Sequence, residues 1–197
     1  MKVGLIGLGR MGEGMSRRMI KQGIEVHGYR NNYEKACKQF EEGYISGCTT
    51  SLESLVQVVH TTEGVFTDTA RVPGIFMMVV PAETVEDTLN ELLQFCVEGD
   101  IIIDHGNSNF KDSRRRAERL AKLGIQYLDC GTSGGVYGLE RGYCLMVVQI
   151  LQYKPALQSL GHSHQALDLP LVQTPVLTKH LPSMVGYIAD QLEQVTL

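Results

Sequence analysis

The chain has 197 residues, room for one full domain and a short appendage and enough to bury a sizeable core. Its net charge of −4 argues against a nucleic-acid partner, which requires a basic face. Hydrophobic residues make up 43%, an ordinary globular value, yet no apolar run is long enough to imply a membrane span.

The chain opens on a short apolar stretch, residues 2–6, that reads as a buried first strand rather than as a signal peptide, since Arg10 follows at once. Met11 to Lys21 reads as a helix, with Met11, Met15, Met19 and Ile20 at helical spacing. Ile24 to Tyr29 is a second strand and Tyr33 to Glu42 a charged helix. Ile45 to Thr49 follows as a short strand, and Ser51 suits the N-cap of a helix through Val59. His60 to Pro73 reads as a loop. Ile75 to Val80, ended by Pro81, suits a central parallel strand. Thr84 to Phe95 is helical, Ile101 to Asp104 is a strand, and Asp112 to Leu123 is a basic amphipathic helix. Gln126 to Cys130 and Leu145 to Val148 complete the strands. This alternation implies right-handed crossovers and a doubly wound, mostly parallel α/β sheet of Rossmann type.

Composition changes near residue 148. All ten arginines and 19 of the 21 glycines precede it, whereas seven glutamines and four of the six prolines follow it. The expected organisation is a dinucleotide-binding domain over 1–148 and a divergent tail over 149–197. The tail reads as irregular or partly helical, with one candidate helix from Ser183 to Leu192.

Gly7-Leu8-Gly9-Arg10-Met11-Gly12 forms a G-x-G-x-x-G between the first strand and the first helix, the context a dinucleotide site requires. Gly7 permits the tight turn, Gly9 lets backbone approach a pyrophosphate, and Gly12 lets the helix sit close on the sheet. The helix N-terminus offers free N–H groups to the phosphates. After the second strand, Tyr29-Arg30-Asn31-Asn32 holds no carboxylate for a ribose 2′-hydroxyl. Arg30 stands where the acid of an NAD site belongs and suits a 2′-phosphate. NADP is therefore the expected cofactor, with NAD as the alternative.

The five cysteines, Cys37, Cys48, Cys96, Cys130 and Cys144, are widely spaced and lack a Cys-x-x-Cys. They read as free thiols, packed as small hydrophobes in a reducing compartment, and no metal site is expected.

Four segments stand in the order and spacing of a known family: residues 4–12, Met78-Val-Val-Pro-Ala82, Asp100-Ile-Ile-Ile-Asp-His-Gly-Asn-Ser108 and Cys130-Gly-Thr-Ser-Gly-Gly135. Through about residue 147 the chain resembles the 6-phosphogluconate dehydrogenases, most closely their shorter bacterial form. The resemblance implies oxidative decarboxylation of 6-phosphogluconate to ribulose 5-phosphate with reduction of NADP, in the pentose phosphate pathway and in the cytoplasm. It implies a small sugar-phosphate acid as substrate, no nucleic-acid or membrane partner, and a homodimer with shared sites. Asn107 matches the asparagine between nicotinamide and substrate, and its amide can both donate and accept. Ser133, Gly134 and Gly135 match the segment that binds the substrate's carboxylate end, where consecutive N–H groups form an anion nest. Val80, Pro81 and Ala82 match the strand end beside the cofactor.

There are departures. Glu83 and His105 stand where the family commonly has glycine, and His105 reads as a strand-end packing residue. After Val148 the family continues into a helical domain with a lysine base and an acidic donor, on a stretch resembling Lys-Met-Val-His-Asn-Gly-x-Glu. That stretch is absent here, since Lys154 and Lys179, the tail's two lysines, have other neighbours. A frame shift or truncation near residue 148 is the expectation, with activity impaired. A non-catalytic dinucleotide-binding module and a related β-hydroxyacid dehydrogenase stay open as alternatives.

Overall fold

A computed structural model of the chain describes residues 1–61, 73–149 and 176–178. The apolar opening forms β1 (Lys2–Ile6), followed by α1 (Arg10–Ile20), β2 (Glu25–Tyr29), α2 (Tyr33–Glu41), β3 (Gly47–Thr49) and α3 (Leu52–His60). Then come β4 (Ile75–Met78), α4 (Val85–Leu92), β5 (Ile101–Asp104), α5 (Phe110–Ala121) and β6 (Gln126–Ser133). A short helix, α6 (Gly138–Arg141), precedes β7 (Cys144–Gln149), and β8 (Val176–Thr178) is the last described element.

The eight strands lie in the order β3-β2-β1-β4-β5-β6-β7-β8. Strands β1 to β6 pair in parallel, while β7 runs antiparallel to β6 and β8 antiparallel to β7. The first six strands follow the doubly wound dinucleotide-binding order, with its topological switch between β1 and β4. Both faces are covered, so the central strands are apolar on each side. Ile75 and Met77 join Val3, Leu5, Met15 and Val26 on one face. Phe76 and Met78 join Leu55, Leu89, Ile102 and Leu120 on the other.

Local sequence accounts for the helix starts. The Ser51 hydroxyl accepts from the Ser54 N–H at 3.1 Å, and Ser54 Oγ accepts from the Ser51 N–H in return. Such a capping box is worth about 1 kcal/mol. Asn32 caps α2 and Asn109 caps α5 by a single bond each, accepting from the Lys35 and Lys111 N–H groups.

Several boundaries differ from the sequence reading. Strand β4 stops at Met78, two residues short, because the chain leaves the sheet before Pro81 once the Val79 N–H has bonded the Ile6 carbonyl at 2.7 Å. Strand β6 runs to Ser133 because its last residues pair with β7, Thr132 opposite Leu145 and Ser133 opposite Cys144. In the tail, expected to be irregular or partly helical, Val176–Thr178 adds a strand to β7. Three residues after a proline carry too little alternation to announce it. The expected helix from Ser183 to Leu192, and residues 62–72 of the expected loop, lie outside the described residues. The cysteines are free thiols, but only Cys130 is buried; Cys37, Cys48 and Cys96 are half-buried and Cys144 is exposed.

At the end of the sheet opposite the glycine turn, one carboxylate ties three segments. Asp100 is fully buried. It accepts the Gly74 N–H at 2.7 Å and the Val97 N–H at 2.8 Å, and pairs with His60 Nε2 at 2.8 Å. Removing one member of such a buried network leaves the others unpaired, at a cost of about 3–5 kcal/mol. Asp100→Ala is therefore expected to lower the urea-unfolding free energy by about that amount. A loss below about 1 kcal/mol would show that the carboxylate does not hold these segments.

Candidate functional site

The glycine turn is built by steric exclusion. Gly7 has φ +97°, and a Cβ there would run into the Val79 carbonyl oxygen and lie 3.0 Å from Val80 Cγ1. A Cβ on Gly12 would overlap the Gly7 carbonyl oxygen. The first turn of α1 therefore sits directly on the strand-to-helix bend. Gly9 differs: a Cβ there would meet nothing within 4 Å. Gly9 is also the N-cap residue of α1, and no side chain caps the helix. The result is an uncapped N-terminus, with its positive end facing open space in front of a residue without a side chain.

Around this turn, Arg10 is exposed, Met11 is half-buried, and the Leu8 side chain is buried so that only its backbone faces the site. Arg30, at the end of β2, donates from Nη1 to the Leu8 carbonyl at 3.1 Å and approaches Gln39 Oε1 at 3.5 Å. Gln39 Nε2 donates to the same carbonyl at 3.2 Å and to Glu13 Oε2 at 2.9 Å. A half-exposed guanidinium is thereby fixed beside the turn by a buried amide from α2. Asn31 is exposed beside it, whereas its neighbour Asn32 is spent on the α2 cap.

The turn after β5 lies across the switch. Asn107 has φ +53°, the one positive value outside glycine among the described residues, and its exposed side chain has no hydrogen bond to any of them. Asparagine tolerates this left-handed conformation better than most residues. The turn is held by Asp104, which is fully buried and accepts from the Gly106 N–H at 2.8 Å, Ser108 Oγ at 2.7 Å and Tyr127 Oη at 2.6 Å. Arg116 completes the set, with Nη1 3.5 Å from Asp104 Oδ2 and 2.8 Å from Ser108 Oγ. Its Nε reaches Glu86 at 2.8 Å, and that hydrogen bond holds the Glu86 carboxyl below its ordinary pKa. Burial pushes the Tyr127 hydroxyl up, so it stays a donor to Asp104.

The remaining expected residues close on the same edge. Val80 is half-buried, and Pro81 and Ala82 are exposed, with Ala82 opening a short 3-10 turn to Thr84. Val80 touches both turns, since a Cβ on Gly106 would lie 3.0 Å from its carbonyl oxygen. His105 joins the Asn107 turn to β6, its Nδ1 lying 2.8 Å from Thr132 Oγ1. Ser133 and Gly134 are exposed, and Gly134 and Gly135 take φ +140° and +49°. Tyr143 carries this last segment onto α1: a Cβ on Gly14 or Gly138 would collide with its ring or hydroxyl, and Arg18 bonds the Leu139 carbonyl at 2.9 Å. The expected residues thus gather along the carboxyl edge of the sheet. Sequence reasoning gave no role to Asp104, Arg116, Gln39 or Tyr143. For Asp104 the signal was an acid ending an apolar strand before short polar donors and an arginine-rich helix. For Tyr143 and Gln39 no local signal exists.

Among the described residues no group of three or more histidine, cysteine or acidic residues is placed to hold a metal ion, and no helix is long and apolar enough to cross a membrane. A switch-point crevice, an uncapped helix N-terminus and a side-chain-free turn define a dinucleotide-binding domain of Rossmann type. Residues 2–165 match the NAD binding domain of 6-phosphogluconate dehydrogenase, and the chain belongs to that family. The match runs past the composition break at 148. The chain is 36% identical over 144 residues to the decarboxylating 6-phosphogluconate dehydrogenase of Chlamydia pneumoniae, covering 73% of this chain and 29% of that one. It is 35% identical over 147 residues to the NAD(+)-dependent decarboxylating enzyme of Haloferax volcanii, covering 75% and 44%. Among solved structures, Plasmodium falciparum 6-phosphogluconate dehydrogenase superposes with a TM-score of 0.61 at 26% identity, covering 75% of this chain and 30% of that one. The chain therefore spans less than half the length of these relatives. The Plasmodium enzyme is described with NADP+ and the Haloferax enzyme as NAD(+)-dependent, so either dinucleotide fits the family.

Gly9→Val fills open space, so it should leave the thermal midpoint unchanged. It should weaken NADPH binding by about tenfold or more, measured by fluorescence titration. Undiminished affinity would show that nothing binds over the turn. His105 gives a pH test. It is buried, and desolvation lowers its pKa from 6.5 to about 4. Its folded pKa is depressed, so the unfolded chain binds the extra proton and stability falls as pH drops from 6.5 toward about 4. Urea midpoints across that window should fall less steeply in His105→Gln than in the parent; equal slopes would remove His105 as the source.

Proposed function

We propose that the chain is the cofactor-holding part of a decarboxylating 6-phosphogluconate dehydrogenase, with NADP preferred over NAD. Its place is then the pentose phosphate pathway, in the cytoplasm, with 6-phosphogluconate as substrate and ribulose 5-phosphate as product. The observation that carries this reading is the convergence of the glycine turn, Arg30, the Asn107 turn and the Ser133–Gly135 segment on one sheet edge. NADP, when bound, supplies the hydride acceptor.

The chain's own residues bind and orient. The N-terminus of α1 meets the pyrophosphate across the open face of Gly9. Arg30, already ordered by Leu8 and Gln39, offers its remaining donors to the 2′-phosphate. Asn107 has an uncommitted amide in the position between dinucleotide and sugar acid. The backbone N–H groups of Gly134 and Gly135, bare of side chains, are the donors that this reading offers to the substrate's carboxylate. The family's lysine base and acidic donor have no counterpart motif in this sequence. Proton transfers of this kind contribute roughly 10²–10⁴-fold each. A homodimer with shared sites is part of the proposal, as is the absence of nucleic-acid and membrane partners. The missing lysine motif favours, as a second reading, a module that holds the dinucleotide without turning it over.

Two measurements on residues 1–197 test this. NADPH should bind more tightly than NADH, and Arg30→Asp should cut the NADPH preference by roughly 10- to 100-fold. NADPH production from 6-phosphogluconate should be weak or absent. Failure of both dinucleotides to bind the folded protein would overturn the proposal, and ordinary turnover, on the order of 1–10³ s⁻¹, would overturn the impaired-site clause.

A further inference from the structure

Two cysteines outside the dinucleotide site lie against each other. Cys37 is on α2 and Cys48 on the edge strand β3, with their sulfurs 2.9 Å apart. Both are half-buried, so a small oxidant reaches them. Tyr33, the first residue of α2, has an exposed side chain, and the neighbouring Cys37 and Cys48 thiols push its hydroxyl pKa up. A disulfide requires a separation of about 2.0 Å, roughly one ångström less than the sulfurs already have.

The position of this pair couples it to the site. Cys48 sits opposite Gly28 on β2, two residues before Arg30. Cys37 precedes Gln39 on α2 by two residues, and Gln39 holds Arg30 and the Leu8 carbonyl in place. Strand β3 lies on the far side of β2 from β1 and its glycine turn. Drawing Cys37 toward β3 therefore draws this end of α2 away from the turn and lengthens the Gln39 bridge to Arg30.

We propose that Cys37 and Cys48 form a reversible disulfide that acts as a redox site governing the 2′-phosphate side of the dinucleotide crevice. The oxidant class is a peroxide. One thiolate attacks the peroxide oxygen and becomes a sulfenic acid, releasing hydroxide. The second thiol's sulfur then attacks the sulfenic sulfur, and hydroxide leaves as water. Overall, two thiols and one hydrogen peroxide give one disulfide and two waters. A dithiol reverses the step by exchange, leaving two thiols and its own disulfide. Burial pushes the Cys48 thiol up, so the reaction quickens as pH rises.

The disulfide itself stands on the sulfur geometry alone, while its effect on cofactor choice rests on the reading of Arg30 given above. The full chain is reduced with dithiothreitol, exposed to hydrogen peroxide, and mapped as peptides under non-reducing conditions. NADPH and NADH are titrated into both forms. Expected are a Cys37–Cys48 cross-linked peptide, loss of two of the five thiols, and recovery of both with dithiothreitol. NADPH affinity should fall several-fold on oxidation and NADH affinity less, and Cys48→Ser should bind NADPH with no response to peroxide. Absence of the cross-linked peptide, or its presence with an unchanged NADPH-to-NADH ratio, overturns the proposal. If the reduced protein binds neither dinucleotide, the Arg30 reading fails, and the peptide map still decides whether the disulfide forms.

Discussion

Everything at the carboxyl edge depends on a place where no side chain fits. The Gly7 carbonyl, the Val79 carbonyl and the first turn of α1 are packed so closely that a methyl group on Gly7 or Gly12 would collide with backbone. Backbone cannot retreat as the far end of a flexible side chain can. The contact therefore fixes the distance between strand and helix, and with it the direction in which the helix N-terminus points. At Gly9, between these two constraints, an added Cβ would meet nothing within 4 Å. Two crowded glycines and one open one separate two needs: building the turn and leaving its outer face bare for a charged group.

The second half of the site uses charge where the first uses sterics. Asp104 is buried, yet four donors surround it: one backbone N–H, two hydroxyls and a guanidinium. A carboxylate is buried at acceptable cost only when so paired. In exchange the turn holding Asn107 has a single shape, including a left-handed residue that would otherwise carry strain. His105 transmits that order to β6 through Thr132, whose hydroxyl donates to the Cys130 carbonyl and so accepts from the imidazole. The other ring nitrogen is buried without a partner among the described residues.

Much of this was legible in the residues. The alternation of Ile-Phe-Met-Met and Ile-Ile-Ile runs with helical stretches announces buried parallel strands, and Ser51 announces the start of α3 through its own hydroxyl. The three glycines of the first turn are local, so their spacing suffices to place them. Arg30 was legible as a basic residue at the end of β2, and the fold sets its guanidinium against the Leu8 carbonyl. What was not legible is long-range. Tyr143 and Gly14 lie far apart in the chain, and nothing near either reveals their contact. Gln39 reads as one more polar residue on a charged helix until the fold sets it beside Leu8. Strand ends escaped for a related reason: Thr132 and Ser133 are held in β6 by β7, a partner that the segment itself does not encode. Propensity is decided locally, whereas ladders are decided by neighbours.

The placement of β8 has a consequence for the edge of the sheet. Strand β7 presents Cys144, Leu145, Met146, Val147 and Val148, an uncharged row with Met146 turned outward. Left bare, its free N–H and C=O groups would be a template for strand addition by another molecule, the usual origin of aggregation at sheet borders. Val176–Thr178 occupies that row with its own backbone, opposite Leu145 to Val147. At the other border β3 is only three residues long, too short to recruit a partner. A segment from the compositionally distinct tail thus serves as a shield, and the chain's colloidal behaviour is tied to residues remote from its cofactor crevice.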